Sequence, residues 1–353
     1  MSWPITSMNG WLKPCLILNS SSEMKFVGFY TEPDAMSVRA FVDEHFHHFN
    51  AGVLQRTSSS LSQFLHQDGR MFLTLAGAMS TAEIGRSLAQ MIRQGHVAAI
   101  SCTGANLEED VFHLVARSHY ERIENIDNLS TEDEVNLLER HLNRVTDTCI
   151  PEEQAIRNIE HHILALWKKA SQEKASRLPH EYLYELLNSG CLEEVYDANP
   201  NHSWLLAAAE VNLPLFVPGW EDSTLGNIFA ARCTEGIVDT SAVQGGIEYM
   251  TRLIEFYRST TTPLAFLQVG GGIAGDFPIC VVPLLNQDLR EAVPLWSWFA
   301  QITDASASYG GYSGAPPNEK ITWGKLGPET PRFNIKSDAT IVLPLIFGYV
   351  LDL

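Results

Sequence analysis

The sequence predicts an α/β protein with a mostly parallel sheet flanked by helices, and two observations carry that prediction. Short apolar runs that read as buried strands occur at 71–76, 96–101 and 263–269, each ending in a turn of small residues. The first two turns, at 77–81 and 102–106, then run into stretches of helical periodicity. Strand, small-residue turn and helix repeated in series is the arrangement of a parallel sheet of nucleotide-binding type.

Composition sets the outer limits. A chain of 353 residues with 45% hydrophobic and 19% charged side chains reads as an ordinary globular protein, here taken as one domain over 1–353. With 24 Lys and Arg against 42 Asp and Glu, the net charge of −18 disfavours nucleic acid and anionic membranes and favours a cationic ligand. Cys15, Cys102, Cys149, Cys191, Cys233 and Cys280 are scattered, without a C-x-x-C pair, and read as reduced core residues. No apolar run approaches the roughly 18 to 20 residues that cross a bilayer, so a cytoplasmic protein is expected.

Residues 1–36 carry little pattern beyond a polar break at 19–22. Over 35–67, Val38, Phe41, Val42, Phe46, Phe49, Val53 and Leu54 recur mostly at three- and four-residue intervals, which predicts a helix packed by one face. His45, His47 and His48 lie within it, but their spacing does not share one helical face, and no metal is expected. The strand at 71–76 leads to helical positions Ile84, Leu88, Met91 and Ile92. The strand at 96–101 leads to a helix at 107–115 that opens on Glu108, Glu109 and Asp110. Small residues at a strand's carboxyl end admit a ligand to the backbone, and the free N–H groups of the next helix favour phosphate.

Residues 118–200 are polar and read as a helical insertion between sheet halves, clearest at the amphipathic stretch 153–170, with His161 and His162 as a surface pair. Alternation resumes with a strand at 213–217 that ends in the polar turn 218–227. A helix at 247–257 and the strand at 263–269 follow. The run 270–275 formally contains G-x-G-x-x-G, but Pro278 and Pro283 suit a long dinucleotide helix poorly, which weakens the motif. A strand at 296–303 precedes an irregular loop, and an apolar helix at 339–351 ends the sequence. All twelve histidines lie at or before His202, so a site built from the second half uses carboxylates, lysine, hydroxyls or water for proton transfer.

The irregular loop holds the strongest chemical signal. Gly310, Gly311, Gly314, Pro316 and Pro317 preclude regular structure, and the stretch closes on Trp323, Gly324 and Lys325. A lysine becomes a nucleophile toward carbonyls and imines when desolvation or a nearby cation lowers its ordinary pKa of about 10.4. Lys320, five residues earlier, is a candidate for that cation. The competing reading is a surface lysine beside a half-buried tryptophan.

The order Ser313-Gly-Ala, Pro317-Asn-Glu319, Trp323-Gly-Lys325 and Ser337-Asp338-Ala339 resembles the C-terminal signature of deoxyhypusine synthase. The resemblance continues upstream through Gly270-Gly-Gly272, Asp222-Ser-Thr-Leu-Gly226, and Thr103 with Glu108-Glu-Asp110. It covers roughly 70–350, thins over 118–200, and is nearest to the bacterial deoxyhypusine-synthase-like branch. It implies a Rossmann-like domain and an NAD-dependent transfer of a 4-aminobutyl group from spermidine, through an imine on the enzyme lysine, to an acceptor amine. By position Lys325 is the covalent lysine, Trp323 lines the polyamine slot and Glu319 holds a terminal ammonium. Ser80, Thr103, Glu108, Asp222, Ser313, Asp338 and Ala339 are implied NAD contacts, with Gly270, Gly271 and Gly272 giving it backbone room. A homotetramer with sites between subunits is implied as well. Glu108 has a structural alternative as a helix N-terminal acid, and Trp323 one as plain core.

Three departures reshape the polyamine side. Asp276 stands where the family usually carries a histidine after the triple glycine, Asn227 replaces the aspartate that closes the Ser/Thr-Leu-Gly-Asp motif, and Tyr312 replaces an acid before Ser-Gly-Ala. Asp276 and Asn227 are therefore expected on the substrate side of an altered amine pocket. The acceptor is left open between a protein lysine and putrescine, the latter giving homospermidine. The alternatives are a Schiff-base lyase or amine dehydrogenase, and an NAD-binding homologue without catalysis.

Overall fold

The computed structural model describes residues 36–307 and 310–353, so the polar break at 19–22 and Cys15 lie outside the described residues. Six strands form the central sheet: β1 (Arg70–Leu75), β2 (Val97–Cys102), β3 (Leu215–Phe216), β4 (Leu264–Val269), β5 (Trp298–Thr303) and β6 (Arg332–Lys336). Their spatial order is β3-β2-β1-β4-β5-β6, and every pairing is parallel. The chain winds one way from β1 and the other way from β4, which makes the β1/β4 boundary a topological switch point, the place where open α/β sheets bind ligands. This bears out the α/β expectation.

The strands form because parallel sheets covered on both faces need nearly continuous apolar runs, and every residue of β2, β4 and β5 is buried. On one face, Phe72, Phe266 and Phe299 stack across the neighbouring strands β1, β4 and β5 with centroids 5.7 and 6.0 Å apart, and Phe216 of β3 stacks on Phe72 across β2 at 5.9 Å. Two residues beyond Phe72, Phe266 and Phe299, on that same face, register aligns Thr74, Gln268 and Gln301 with Ser101 of β2 and Asn334 of β6 in one polar row.

Several expectations change. The single helix expected over 35–67 is two, Val38–His45 and Phe49–His66, because Phe49 takes a left-handed φ of 51° and stands 95% exposed. The insertion falls between β2 and β3, inside the first half of the sheet. Its first part is not purely helical: Glu121–Arg122, Leu142–Val145 and Thr148–Pro151 form a small antiparallel sheet, with Leu137, Leu142 and Cys149 as its core. Exposed Glu, Arg and Asn side chains on those strands hid them from the apolar pattern. The strand expected at 213–217 shrinks to the two residues of β3, whereas the helix expected at 339–351 is observed as Ala339–Leu351. Of the described cysteines only Cys102 and Cys149 are buried, and Cys191 is exposed, which corrects their reading as core residues. Among the described residues no helix is long and apolar enough to cross a membrane.

Candidate active site

After β5 the chain makes a turn at Tyr312–Gly314 and a single helical turn at Glu319–Thr322. Pro316 and Pro317 start that turn by offering carbonyls to the N–H groups of Glu319 and Lys320 at 3.0 and 3.2 Å. Gly324 ends it with a left-handed φ of 66°, a conformation that costs glycine little. The reversal separates its neighbours: Trp323 is 65% exposed, while Lys325 turns inward and is 5% exposed.

Lys325 enters a cavity of about 310 Å³ lined also by Lys320, Asp276, Tyr312, Glu319 and Trp323. Its Nζ lies 3.1 Å from Asp276 Oδ1 and 5.6 Å from the ring centroids of both Tyr312 and Trp323. Lys320 is more deeply buried, at 2% exposed. Its Nζ sits 3.5 Å from Gln301 Oε1, over Phe299 at 5.2 Å and Tyr312 at 4.8 Å. Burial, reinforced by the charge of Lys325, brings its amine down to about 8 despite the acids Glu319 and Asp276. Asp276 comes from the helix Gly272–Ile279, which follows the glycine run, so the switch-point turn and the lysine loop meet at this ion pair. Cys280, one turn on, donates its thiol to Asp276 Oδ1 at 3.6 Å, and burial raises its pKa against the pull of Lys325.

Two site residues escaped the sequence reading. Tyr312 Oη donates to Gln268 Oε1 at 2.7 Å, and the Gln268 amide donates to the Gly270 carbonyl at 2.9 Å. Gln301 Nε2 donates to the Ser313 carbonyl at 2.7 Å. A glutamine inside an otherwise apolar strand, repeated at the same place in β4 and β5, was the available signal, since buried polar groups need partners.

The residues implied for a dinucleotide divide into two sets. Gly270 (φ 73°) packs so closely on Ala76 that a Cβ would lie 2.8 Å from the Ala76 Cβ, bringing together the carboxyl ends of β1 and β4. Gly77 and Gly272 also have left-handed φ, and a Cβ at either would meet open space. Gly271 is packed against Ser313. A groove of about 1130 Å³ runs past Ala76, Gly77, Thr81, Asp338 and Thr340. Asp338, exposed, caps the helix Ala339–Leu351 through Thr340 N–H at 2.7 Å, and Ala339 opens that helix. This set offers glycine backbone at the strand ends and, beside Gly77 and Asp338, an open groove.

In the second set, Ser80, Thr103 and Glu108 are engaged by hydrogen bonds to the scaffold. Ser80 Oγ donates to the Asn106 carbonyl at 2.7 Å and accepts from Trp204 Nε1 at 2.9 Å. Thr103 caps the helix Gly104–Ala116 through Asn106 N–H and donates to the Gly77 carbonyl at 2.7 Å. Glu108, 2% exposed, accepts the N–H groups of Thr224 and Leu225 at 2.8 and 2.7 Å. It therefore caps the helix Thr224–Thr234, with burial raising its pKa and those hydrogen bonds lowering it. Asp222 is exposed, and Asn227 lines a separate cavity of about 630 Å³ while donating to the Ser223 carbonyl at 2.7 Å. Within one chain, neither of these two lines the cavity of Lys325.

Known proteins share this organisation. The chain is 28% identical over 333 residues to a deoxyhypusine synthase-like protein of a Cyanothece species, covering 91% of this chain and 80% of the relative. It is 29% identical over 331 residues to a protein of the same name from Thermosynechococcus vestitus, with the same coverage. A crystal structure of a candidate deoxyhypusine synthase from Entamoeba histolytica shares the fold at a TM-score of 0.53 and 12% identity, covering 92% of this chain and 96% of that one. The family model described as deoxyhypusine synthase matches residues 44–350, and the chain belongs to the deoxyhypusine synthase family.

Proposed function

We propose that this protein is an NAD-dependent transferase that moves a 4-aminobutyl group from spermidine, through an imine on Lys325, to an acceptor amine. The observation that carries the reading is the Lys325 ammonium, buried in a cavity beside Asp276 and below an exposed indole. Family membership supports the transferase class. NAD would lie along the strand-end crevice, with Gly77, Gly270, Gly272 and Asp338 facing it, and would supply the means to oxidise the donor amine and reduce the product imine. Lys325 attacks the oxidised carbon and displaces the remaining amine of the donor. Glu319 and Asp276 offset the charge of a cationic chain, and Tyr312 and Trp323 wall its methylenes. The acceptor is a protein lysine or putrescine, and with putrescine the product is homospermidine.

The protein is further proposed to act in the cytoplasm as a homotetramer with sites between subunits. In such an assembly, Asp222 and Asn227, which a single chain leaves exposed, are available to a neighbouring site.

The test incubates protein, NAD and spermidine with putrescine, or with a translation factor that presents a lysine, and seeks homospermidine or a modified lysine. Lys325→Ala should abolish both products, and full transfer by that variant would defeat the covalent role. Release of 1,3-diaminopropane with no acceptor product would favour a lyase or dehydrogenase instead.

A further inference from the structure

The cavity contains two buried amines, and only one of them has a carboxylate. Lys325 is paired with Asp276, whereas among the described residues no carboxylate lies within ion-pair distance of Lys320. The Lys320 contact with Gln301 Oε1, at 3.5 Å, is at the long limit for a hydrogen bond, and its other close neighbours are the ring faces of Phe299 and Tyr312. Both Nζ atoms face the Tyr312 ring, at 4.8 and 5.6 Å from its centroid. A buried lysine without a counter-ion carries a desolvation cost, which the ring faces of Phe299 and Tyr312 offset only in part.

Its chemistry suits one task. An ammonium has no lone pair, so Lys325, drawn as it is into an ion pair, must give up a proton before it can attack. The titratable groups facing Lys320 are Glu319 on its own helical turn, Asp276 and Cys280 from the glycine-run side, Tyr312 above it, and Lys325. Burial and the Lys325 charge outweigh the two acids, so near pH 8 Lys320 is divided between its neutral and charged forms. That is the range in which a proton acceptor works well at near-neutral pH.

We propose that Lys320 is the proton acceptor that frees the Lys325 amine for attack on the substrate carbon. The inference rests on Lys325 as the covalent lysine. One proton leaves Lys325 for the Lys320 nitrogen, the Lys325 nitrogen bonds to the carbon of the neutral imine, and a second Lys325 proton passes to the imine nitrogen. The bond from that carbon to the departing nitrogen then breaks, and the departing amine takes the proton from Lys320. Lys320 ends neutral, as it began, and no electrons are exchanged in the step. The arrangement is absent from the signature residues that carry the family resemblance, none of which is Lys320.

The experiment needs neither NAD nor polyamine, so it stands apart from the transfer assay. Propanal and cyanoborohydride are added to the whole protein at about pH 8, and the rate of alkylation at each lysine is read by peptide mass mapping. Wild-type protein, Lys320→Met, Lys320→Gln and Lys320→Arg are compared, with circular dichroism confirming that each is folded. The expected result is labelling of Lys325 that slows about 100-fold in the Met and Gln variants, the scale of general-base assistance. Arginine keeps the charge but cannot give up its proton, so it should not restore the rate. Wild-type labelling of Lys325 in either neutral variant, restoration by arginine, or a label that lands on Lys320 instead would each overturn the proposal.

Discussion

Replacing Lys320 by methionine should stabilise the protein at neutral pH. Burial and the neighbouring Lys325 bring the Lys320 amine from its ordinary 10.5 to about 8. At roughly 1.4 kcal/mol per unit, the folded state disfavours that ammonium by about 3 kcal/mol relative to the unfolded chain. The folded value is the depressed one, so the unfolded chain binds the extra proton between about 8 and 10.5. Stability that the neutral amine confers above 10.5 is therefore lost as pH falls through about 8, and near pH 7 the wild type bears the full cost. Methionine nearly conserves the volume and removes the charge. Urea unfolding of Lys320→Met should give a free energy up to about 3 kcal/mol higher than wild type near pH 7. The gap should close as pH is raised toward 10.5. A variant no more stable near pH 7, or a gap that stays constant with pH, would refute the reasoning.

Glu108→Ala leaves the N–H groups of Thr224 and Leu225 without their carboxylate, and a loss of about 3 kcal/mol is expected from the denaturant midpoint. An unchanged midpoint would return Glu108 to a purely ligand-facing role. Gly271→Ala places a Cβ 2.0 Å from Ser313 Oγ, so the loop must shift, at about 1 to 3 kcal/mol and a lower melting temperature. Melting at the wild-type temperature would mean that the glycine turn and Ser313 are not in contact in solution. Asp276→Asn removes the carboxylate beside Lys325, and the KM for a cationic amine should rise about tenfold, equivalent to about 1.4 kcal/mol. An unaltered KM would count against Asp276 as a substrate partner.

Much of the scaffold was legible because its strands are apolar runs punctuated by glycine. The run at 263–269 reads as a strand for the reason that β4 is one: both of its faces are covered. β6 was not legible, since Arg332 to Lys336 mixes charged and apolar residues at the sheet edge and buries only Ile335. The loop of Lys325 announced itself through Gly310, Gly311, Pro316 and Pro317. The depth of Lys320 did not, because a lysine is ordinarily exposed and its burial here depends on Phe299 from β5 and Tyr312 from the loop closing around it. Likewise, Glu108 and Ser80 could be marked as polar and close to strand ends. That their atoms are already engaged by Thr224, Leu225, Asn106 and Trp204 is a fact of tertiary packing that spacing does not encode.

The polar row across the sheet also bears on how the chain assembles. Gln268 finds partners in Tyr312 of the loop above and in the Gly270 carbonyl, and Gln301 in Ser313 and Lys320 of that loop, while Thr74 Oγ1, Ser101 Oγ and Asn334 Oδ1 have none among the described residues. A strand that paired one position out of step would turn its polar member to the opposite side, among apolar side chains with nothing to receive it. Mispairing is thus penalised at Gln268 and Gln301, and the glutamines that anchor the reactive loop also act as alignment marks for the strands beneath it.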